Sequence, residues 1–375
     1  MARIMMISRN FPPLTGGMER LFHQLYLQLS GEHQTALLGP AGSDAFVRDD
    51  CDVRTTTVSP TPWFLLASLG KGLVLRPAGR HPEMIIGGSG LVAPIVVLLA
   101  KMRRARSVLL LHGLDIVADS YLYQRLFVPF LKRADMLVCN SRNTARLALR
   151  AGADEQRITI VHPGVDMPQN SLSQNDAKRS LGLAGKTVLL SIGRLIPRKG
   201  LPEYVARGFS EFAAQHTDAV LLIAGFEPSQ ALNRRSSSVL GKLQSAITDY
   251  NLEDRVRLLG QVDDRSSHAL YSAADAFVFP LQETVGDVEG FGMVAVEAAA
   301  RGTPTVAFDC GGVADAVAEG VSGFLVSPGD YQAFNGALER AIDGGLRDSS
   351  RQFASRFAWE KYGEQMRDVV TRVLQ

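Results

Sequence analysis

Two glutamates eight positions apart are the residues best suited to chemistry in this sequence. Glu289 and Glu297 lie in EGFGMVAVE, which follows the apolar run ADAFVFP and opens a helical pattern. Gly290 and Gly292 let backbone N–H groups approach a ligand, and the helix start offers positive potential to phosphate or sugar oxygens. Carboxylates accept hydrogen bonds from vicinal hydroxyls, so the segment predicts a site for a sugar and a ribose. The alternative is an ordinary helix start with acidic residues. Glu297, however, lies in the apolar segment VAVEAAA, and a carboxylate buried there needs a reason.

A basic loop is the second candidate. Arg194 and Lys199 lie in SIGRLIPRKG, directly after a predicted strand. A guanidinium fork and an ammonium group stabilise a departing diphosphate without a metal ion. Solvated surface cations are the alternative interpretation.

The first half offers weaker signals, each of which an ordinary structural role also explains. Gly16 and Gly17 form a close-approach turn in RNFPPLTGGMER that suits a sugar or phosphate, but the turn is not GxGxxG, which argues against a dinucleotide. His112 follows a strand in LLLHGLDI and could orient a hydroxyl group; no serine or cysteine stands at the spacing of a hydrolase triad.

In the second half, Gly225 and Phe226 of IAGFEP could contact a nucleotide.

Short apolar runs alternate with helical patterns, which is typical of parallel sheets with helices on both faces. The predicted strands are Ile4–Ser8, Thr35–Leu38, Met84–Ile86, Val108–Leu111, Met136–Cys139, Ile158–Val161, Thr187–Ile192, Val220–Ala224, Val256–Leu258, Ala276–Phe279, Thr305–Phe308 and Phe324–Val326. The polar stretch 169–185 predicts a linker between domains 1–168 and 186–357. Two such α/β domains would present the carboxyl ends of their strands to a central cleft, where ligands of these folds bind.

Bulk composition narrows the class of protein. The 375 residues are 46% hydrophobic and 21% charged, as in a globular enzyme of two domains. Three scattered cysteines form neither a disulfide framework nor a zinc motif, so we expect a cytoplasmic protein without a metal site. The start, MARIMMISRNFPP, is read as a strand rather than a signal peptide, and the apolar stretch 84–100 is too interrupted to span a membrane.

The charge is unevenly distributed. Residues 1–170 carry 19 Lys and Arg against 13 Asp and Glu, whereas the remainder carries 21 against 25. A basic first half suits an anionic acceptor or the inner face of the plasma membrane, and an ordinary solvated surface explains it as well. Trp63, Phe64, Leu65, Leu66, Lys71 and Arg76 would form an amphipathic membrane contact or pack as a helix. No nucleic-acid partner is expected.

Together these residues resemble the retaining glycosyltransferases of family 4, which have the GT-B fold of two Rossmann-like domains. The resemblance covers nearly the whole chain and is most specific at the Glu289/Glu297 pair, RGTPTVAFDCGG and GRLIPRKG. It implies that Glu289 and His112 contact the donor sugar, that Glu297 contacts the ribose, and that Arg194 and Lys199 hold the diphosphate. The remaining implied donor contacts are Gly16, Gly17, Gly225, Phe226, Gly290, Phe291, Gly292 and Met293. The last helix, 358–375, would pack back on the first domain.

The resemblance also implies a reaction. A hexose moves from a nucleotide sugar with retention of configuration, without a metal ion or other cofactor, and the leaving phosphate takes the acceptor proton. HPGVD stands where many members of the family have PNGVD. IPRKG and DVEGFG are similar to segments of actinobacterial mannosyltransferases acting on phosphatidylinositol and of some O-antigen enzymes. They favour a GDP-sugar over a UDP-sugar, mannose or a related hexose, and a lipid-linked or surface-polysaccharide acceptor.

Two other classes of protein would use a similar scaffold. An NAD-dependent dehydrogenase predicts GxGxxG with an acidic residue about 20 positions onward, and neither half shows that pair. A sugar-binding protein without catalytic activity predicts a broken phosphate site, whereas Arg194, Lys199 and both glutamates are present.

Overall fold

The computed structural model describes residues 1–168, 172–227 and 238–375, which divide into two compact α/β units. Unit 1 comprises Met1–Gly164 and Trp359–Gln375, and unit 2 comprises Val165–Ala358. Each unit is built on one parallel sheet, as the alternation of apolar runs and helical patterns predicts.

Unit 1 contains a seven-stranded sheet in the order β3-β2-β1-β4-β5-β6-β7. Its strands are β1 (Arg3–Ile7), β2 (Gln34–Pro40), β3 (Asp52–Thr56), β4 (Met84–Gly87), β5 (Arg106–Leu111), β6 (Met136–Cys139) and β7 (Ile158–Ile160). Its helices are α1 (Gly17–Ser30), α2 (Thr61–Val74), α3 (Ala93–Arg103), α4 (Leu114–Val117), α5 (Tyr121–Leu126), α6 (Val128–Leu131), α7 (Arg142–Arg150) and α16 (Trp359–Leu374). The stretch 84–100 contains the buried strand β4 and the first part of the largely buried helix α3.

Unit 2 contains a six-stranded sheet in the order β10-β9-β8-β11-β12-β13. Its strands are β8 (Thr187–Ile192), β9 (Ala219–Ala224), β10 (Val256–Gly260), β11 (Ala276–Phe279), β12 (Thr305–Phe308) and β13 (Gly323–Val326). Its helices are α8 (Gln174–Ser180), α9 (Leu201–Tyr204), α10 (Ser210–Gln215), α11 (Val239–Asp249), α12 (Asp264–Ala273), α13 (Met293–Ala300), α14 (Tyr331–Asp343) and α15 (Arg347–Ala354). One π-helical turn, Val205–Phe209, joins α9 to α10.

One strand and one helix lie where the sequence predicted neither, and the bounds of several predicted strands differ by one or two residues. The strand β3, with the sequence DVRTT, was not predicted because it lies at the edge of its sheet and has no apolar run. Helix α8 lies within the predicted linker, where Ser173 caps it by accepting a hydrogen bond from the Asp176 N–H. A short polar helix shows little apolar periodicity, so its sequence reads as a loop.

The order of strands locates the sites. In unit 2 the order reverses between β8 and β11, and in unit 1 between β1 and β4. Loops that leave adjacent strands at such a reversal diverge to opposite faces of the sheet and open a crevice. Residues 193–200 follow β8, and residues 280–292 follow β11, so both predicted motifs of unit 2 begin at its reversal.

No helix among the described residues is long and apolar enough to cross a membrane.

Candidate active site

A buried ionic cluster joins the two loops at the reversal in unit 2. The Lys199 ammonium donates to Glu289 Oε2 at 2.8 Å, and Arg198 Nη1 donates to the same oxygen at 3.0 Å. Arg198 Nε also donates to Asp287 Oδ2 at 3.2 Å. Only 15% of the Glu289 side chain and 7% of the Arg198 side chain are exposed. Because these charges are paired and hydrogen-bonded, the cluster tolerates its burial.

The cluster holds Glu289 as a carboxylate. Burial opposes ionisation of this side chain, but the charges of Lys199 and Arg198 outweigh burial, so the pKa of Glu289 lies below its ordinary value. Both cations bind Oε2, and among the described residues Oε1 has no hydrogen-bond partner. The structure therefore leaves one oxygen of an ionised carboxylate available to a hydroxyl donor.

The Lys199 ammonium has the opposite balance. Burial lowers its pKa below the ordinary value, and the positive charges of Arg198 and Arg194 act in the same direction against the attraction of Glu289. Its Nζ also lies 4.3 Å from the centroid of the Phe279 ring, a cation–π distance. The positive charges of Lys199, Arg198 and Arg194 therefore repel one another at this site, where Glu289 pairs with Lys199. A bound anion would relieve that repulsion.

Helix α13 supplies further positive potential. Its N-cap is Gly292, at φ 96°, and no side chain in the described part of the chain caps it. By contrast, α11, α12 and α14 each have a capping side chain that accepts a hydrogen bond from an N–H group of the first turn. The capping residues are Ser238, Asp263 and Asp330, respectively. The Ala295 N–H donates to the Gly292 carbonyl at 2.9 Å, and the remaining first-turn N–H groups of α13 suit an anionic ligand at the carboxyl end of the sheet.

Glu297 lies in α13 and is partly buried. The buried Tyr271 hydroxyl donates to its Oε2 at 3.1 Å, which gives this carboxylate the partner that its apolar surroundings require. Phe291 and Gly290 are buried in the same segment, and the Phe291 ring packs against Phe357 at a centroid distance of 5.6 Å. Only the backbone of Phe291 can therefore face a ligand.

The turn after β9 is packed tightly against the turn after β8. A Cβ at Gly225, which has φ 151°, would overlap the Gly193 carbonyl oxygen. The neighbouring Phe226 side chain is exposed, while its carbonyl accepts from Leu195 N–H at 2.9 Å. Pro228, the last residue of IAGFEP, lies outside the described residues.

In unit 1, His112 is held rigidly. Its Nε2 lies 2.8 Å from the Gly88 carbonyl oxygen at the end of β4. A carbonyl only accepts, so Nε2 carries hydrogen and Nδ1 is the acceptor nitrogen of the neutral ring. Asp115 accepts from the backbone N–H groups of His112 and Gly90, both at 2.9 Å, and therefore fixes this loop.

The Gly16–Gly17 turn begins α1, and Gly16 is its N-cap without a capping side chain. The Glu19 carboxylate folds over it: Asn10 Nδ2 donates to Glu19 Oε1 at 2.5 Å, and a Cβ at Gly16 would overlap Oε2. The backbone conformation at position 16, with φ 156°, therefore favours glycine, whereas the Glu19 carboxylate is the movable end of a side chain.

The sequence predicted that Arg194, Lys199 and Glu289 share one site. The structure places Lys199 and Glu289 in contact, while Arg194 is exposed and its charge acts on both. Sequence reasoning missed Arg198, Asp287, Tyr271 and Glu19. Arg198 and Asp287 lie within the motifs SIGRLIPRKG and DVEGFG. Their charge and their position in these motifs could have indicated that they belong to the site. Tyr271 lies far from Glu297 in sequence and gave none. Among the described residues, no group of three His, Cys, Asp or Glu side chains is placed to hold a metal ion.

The two parallel-sheet units and the site at a strand reversal define a GT-B-type α/β protein. The profile described as "Glycosyl transferases group 1" matches residues 173–365, and that described as "Glycosyltransferase Family 4" matches residues 15–168. The chain belongs to the group 1 glycosyl transferase family.

Curated relatives include D-inositol 3-phosphate glycosyltransferase 2 of Catenulispora acidiphila. It is 34% identical over 256 residues, which are 64% of this chain and 57% of the relative. The D-inositol 3-phosphate glycosyltransferase of Mycolicibacterium smegmatis is 33% identical over 232 residues, 60% of this chain and 50% of the relative. The matches thus span about half the length of these relatives.

Two solved structures confirm the fold over the whole chain. HepE of Anabaena in complex with UDP has a TM-score of 0.79 at 20% identity and covers 99% of this chain and 100% of its own. Sucrose-phosphate synthase of Thermosynechococcus elongatus has a TM-score of 0.79 at 21% identity, with 100% and 99% covered.

Proposed function

We propose that this protein is a retaining hexosyltransferase that uses a nucleotide sugar and needs no metal ion. The observation that carries the proposal is the Glu289 carboxylate, which accepts from Lys199 and Arg198 three residues before Gly292, the N-cap of α13. A diphosphate would find cations and helix N–H groups here, while Glu289 Oε1 would accept from a sugar hydroxyl. Membership of the group 1 family supports the same activity.

The chemical roles follow from the environments. Lys199 and Arg194 would stabilise negative charge that grows on the diphosphate as the sugar–phosphate bond loosens. Glu297, oriented by Tyr271, would bind the ribose diol. His112 would accept a sugar hydroxyl hydrogen at Nδ1, since Nε2 is committed to Gly88. The leaving phosphate would take the acceptor proton, so a protein nucleophile is not required.

Donor and acceptor identity rest on similarity. IPRKG and DVEGFG support GDP-mannose or a related GDP-sugar first and a UDP-sugar second. For the acceptor we retain a lipid-linked or surface saccharide. The names of the curated relatives support a phosphorylated polyol as the competing acceptor class.

A thermal-shift series tests the donor site. The protein would be heated in EDTA with GDP-, UDP- and ADP-sugars and with NAD. We expect one nucleotide-sugar class to raise the melting temperature and Lys199→Ala or Glu297→Ala to abolish that shift, with Lys242→Ala as the control. Stabilisation by NAD alone would overturn the proposal in favour of a dehydrogenase. Binding without transfer to any acceptor or to water would favour the sugar-binding protein.

We further propose that unit 1 contacts the inner face of the membrane through α2. Trp63 and Leu66 are 59% and 66% exposed, and Leu73 and Val74 continue this face about two turns beyond Leu66. Residues 53–82 carry four Lys or Arg and no Asp or Glu, which suits anionic lipid. Phe64, which sequence alone placed in this contact, is instead buried in the core of unit 1.

Vesicle sedimentation tests the membrane contact. We expect vesicles containing phosphatidylglycerol to bind the protein and the double variant W63S/L66S to bind several-fold less. The same paired substitution at Leu149 and Leu259, exposed side chains elsewhere, is the control. Equal binding by both double variants would remove α2 from the account.

A further inference from the structure

Arg198 holds the loop between β11 and α13 at two places. Its carbonyl oxygen accepts from the Gln282 N–H at 2.8 Å, near the start of that loop. Its guanidinium reaches Asp287 at 3.2 Å and Glu289 at 3.0 Å, near the end. One residue of the β8 loop therefore connects both ends of the segment 282–289.

The middle of this segment is far less anchored than its ends. Thr284 and Asp287 form a turn in which Asp287 N–H donates to the Thr284 carbonyl at 3.1 Å, and Val285 at its tip is 92% exposed. On the far side, the Glu289 carbonyl accepts from Gly312 N–H at 2.7 Å. The backbone of Glu289 is thus held by Gly312, and its carboxylate by Arg198 and Lys199.

We propose that Arg198 is a positioning residue that orients the Glu289 carboxylate for the donor sugar without itself contacting the diphosphate. The inference rests on the proposed function and deepens it. Arg198 is almost entirely buried, and its Nε and Nη1 are committed to two different carboxylates. The planar guanidinium can bridge two acceptors in fixed geometry, which a flexible ammonium cannot reproduce.

The convergence of both cations on Oε2 has a direct consequence for the site. It fixes the rotation of the Glu289 carboxyl group and keeps Oε1 available. Without Arg198, Lys199 alone could pair with either oxygen. Because misplacement of a reacting group by about 1 Å can cost 100-fold in rate, loss of this orientation should lower turnover more than phosphate binding.

Four variants distinguish a positioning role of Arg198 from direct contact with phosphate. R198K retains the positive charge, and R198Q removes it. D287N removes the charge of the second carboxylate, and R257Q, at an exposed arginine of the same unit, is the control. Hydrolysis of the donor by water gives kcat and KM over a range of pH. Calorimetry with inorganic pyrophosphate, GDP and UDP gives affinity for the phosphates. Neither readout requires a known acceptor.

We expect R198Q to lose about 100-fold in kcat while pyrophosphate and nucleoside diphosphate affinity falls less than tenfold. The acid limb of its pH profile should move to higher pH, because the Arg198 charge helps to lower the pKa of Glu289. R198K should lose activity but keep the acid limb in place, and D287N should do the same. R257Q should match the wild type.

Two results would overturn the inference. One is a loss of pyrophosphate affinity in R198Q as large as that in Lys199→Ala, with an unmoved acid limb, which would make Arg198 a phosphate ligand. The other is full activity in R198Q. Failure of the wild type to bind any of the three probes would instead refute the proposed function. If R198Q does not fold, the R198K profile decides.

Discussion

Lys199 Nζ lies 2.8 Å from Glu289 Oε2, although 90 positions separate the two residues in the chain. The pair joins the loops after β8 and β11, the two strands at which the sheet order of unit 2 reverses. A cation for the leaving group and a carboxylate for the sugar are thus placed in one site by the topology of the sheet.

Lys199→Met removes the ammonium and keeps an apolar stem beside Phe279. We expect donor hydrolysis to fall by about 100- to 1,000-fold, as on removal of a donor that stabilises transition-state charge. Pyrophosphate affinity should fall in parallel, which calorimetry measures. Lys242→Met, at an exposed lysine of α11, is the matched control and should leave both quantities unchanged. Unaltered pyrophosphate binding in Lys199→Met would contradict the assigned role.

Glu289 makes the stability of unit 2 depend on pH. The pKa of Glu289 is lower in the folded than in the unfolded protein. Its contribution to the free energy of unfolding is therefore fully present above the ordinary glutamate pKa, and it is lost as the pH falls through the lowered pKa of the folded state. The difference in free energy of unfolding between wild type and Glu289→Gln should therefore shrink on acidification through that window. Urea unfolding at a series of pH values measures it. A difference that grows as pH falls would mean that burial, not ion pairing, dominates the carboxyl group.

Tyr271→Phe removes the hydroxyl that binds Glu297. We expect donor affinity to fall by about tenfold, in keeping with a charge-assisted hydrogen bond worth about 1.5 kcal/mol, while kcat changes little. Titration with the nucleotide sugar and steady-state kinetics separate these effects. Tyr250→Phe, at a half-exposed tyrosine of the same unit, should behave as the wild type. An equal loss in both variants would remove Tyr271 from the donor site.

Gly200 allows the β8 and β11 loops to approach each other. It has φ 63°, and a Cβ there would overlap the Pro280 carbonyl oxygen. Gly200→Ala should destabilise the protein by about 1–3 kcal/mol and lower donor affinity, because both loops must shift. Gly241→Ala, in α11 with no atom closer than 3.7 Å to the added Cβ, should stabilise by up to about 1 kcal/mol. Thermal unfolding with and without nucleotide compares them, and equal melting temperatures would contradict the packing argument.

Apolar runs were sufficient to predict the buried strands. Met136–Cys139, Thr187–Ile192, Ala276–Phe279 and Thr305–Phe308 have the predicted bounds, because a strand buried on both faces of a parallel sheet must be apolar throughout. The edge strand β3 was not predicted, because it has no apolar run. Ser141 caps α7 by accepting from the Thr144 N–H, a feature that depends only on local sequence.

The site was predicted in part. Motif spacing indicated Arg194, Lys199 and Glu289, but it could not show that Arg198 faces inward while Arg194 is exposed, because that depends on how the loop turns around Gly200. Phe291 likewise looked available to a ligand, and only the packing against Phe357 shows that its ring belongs to the core. Long-range partners such as Tyr271 require the fold.

A crystal structure with the nucleotide that stabilises the protein in EDTA would show whether the site around Lys199 and Glu289 binds the donor. We predict that the diphosphate lies within hydrogen-bonding distance of Lys199 Nζ and of backbone N–H groups at the start of α13, with the sugar on Glu289 Oε1. A nucleotide bound away from these groups, for example at the N-terminus of α11 beside Glu227, would contradict the account.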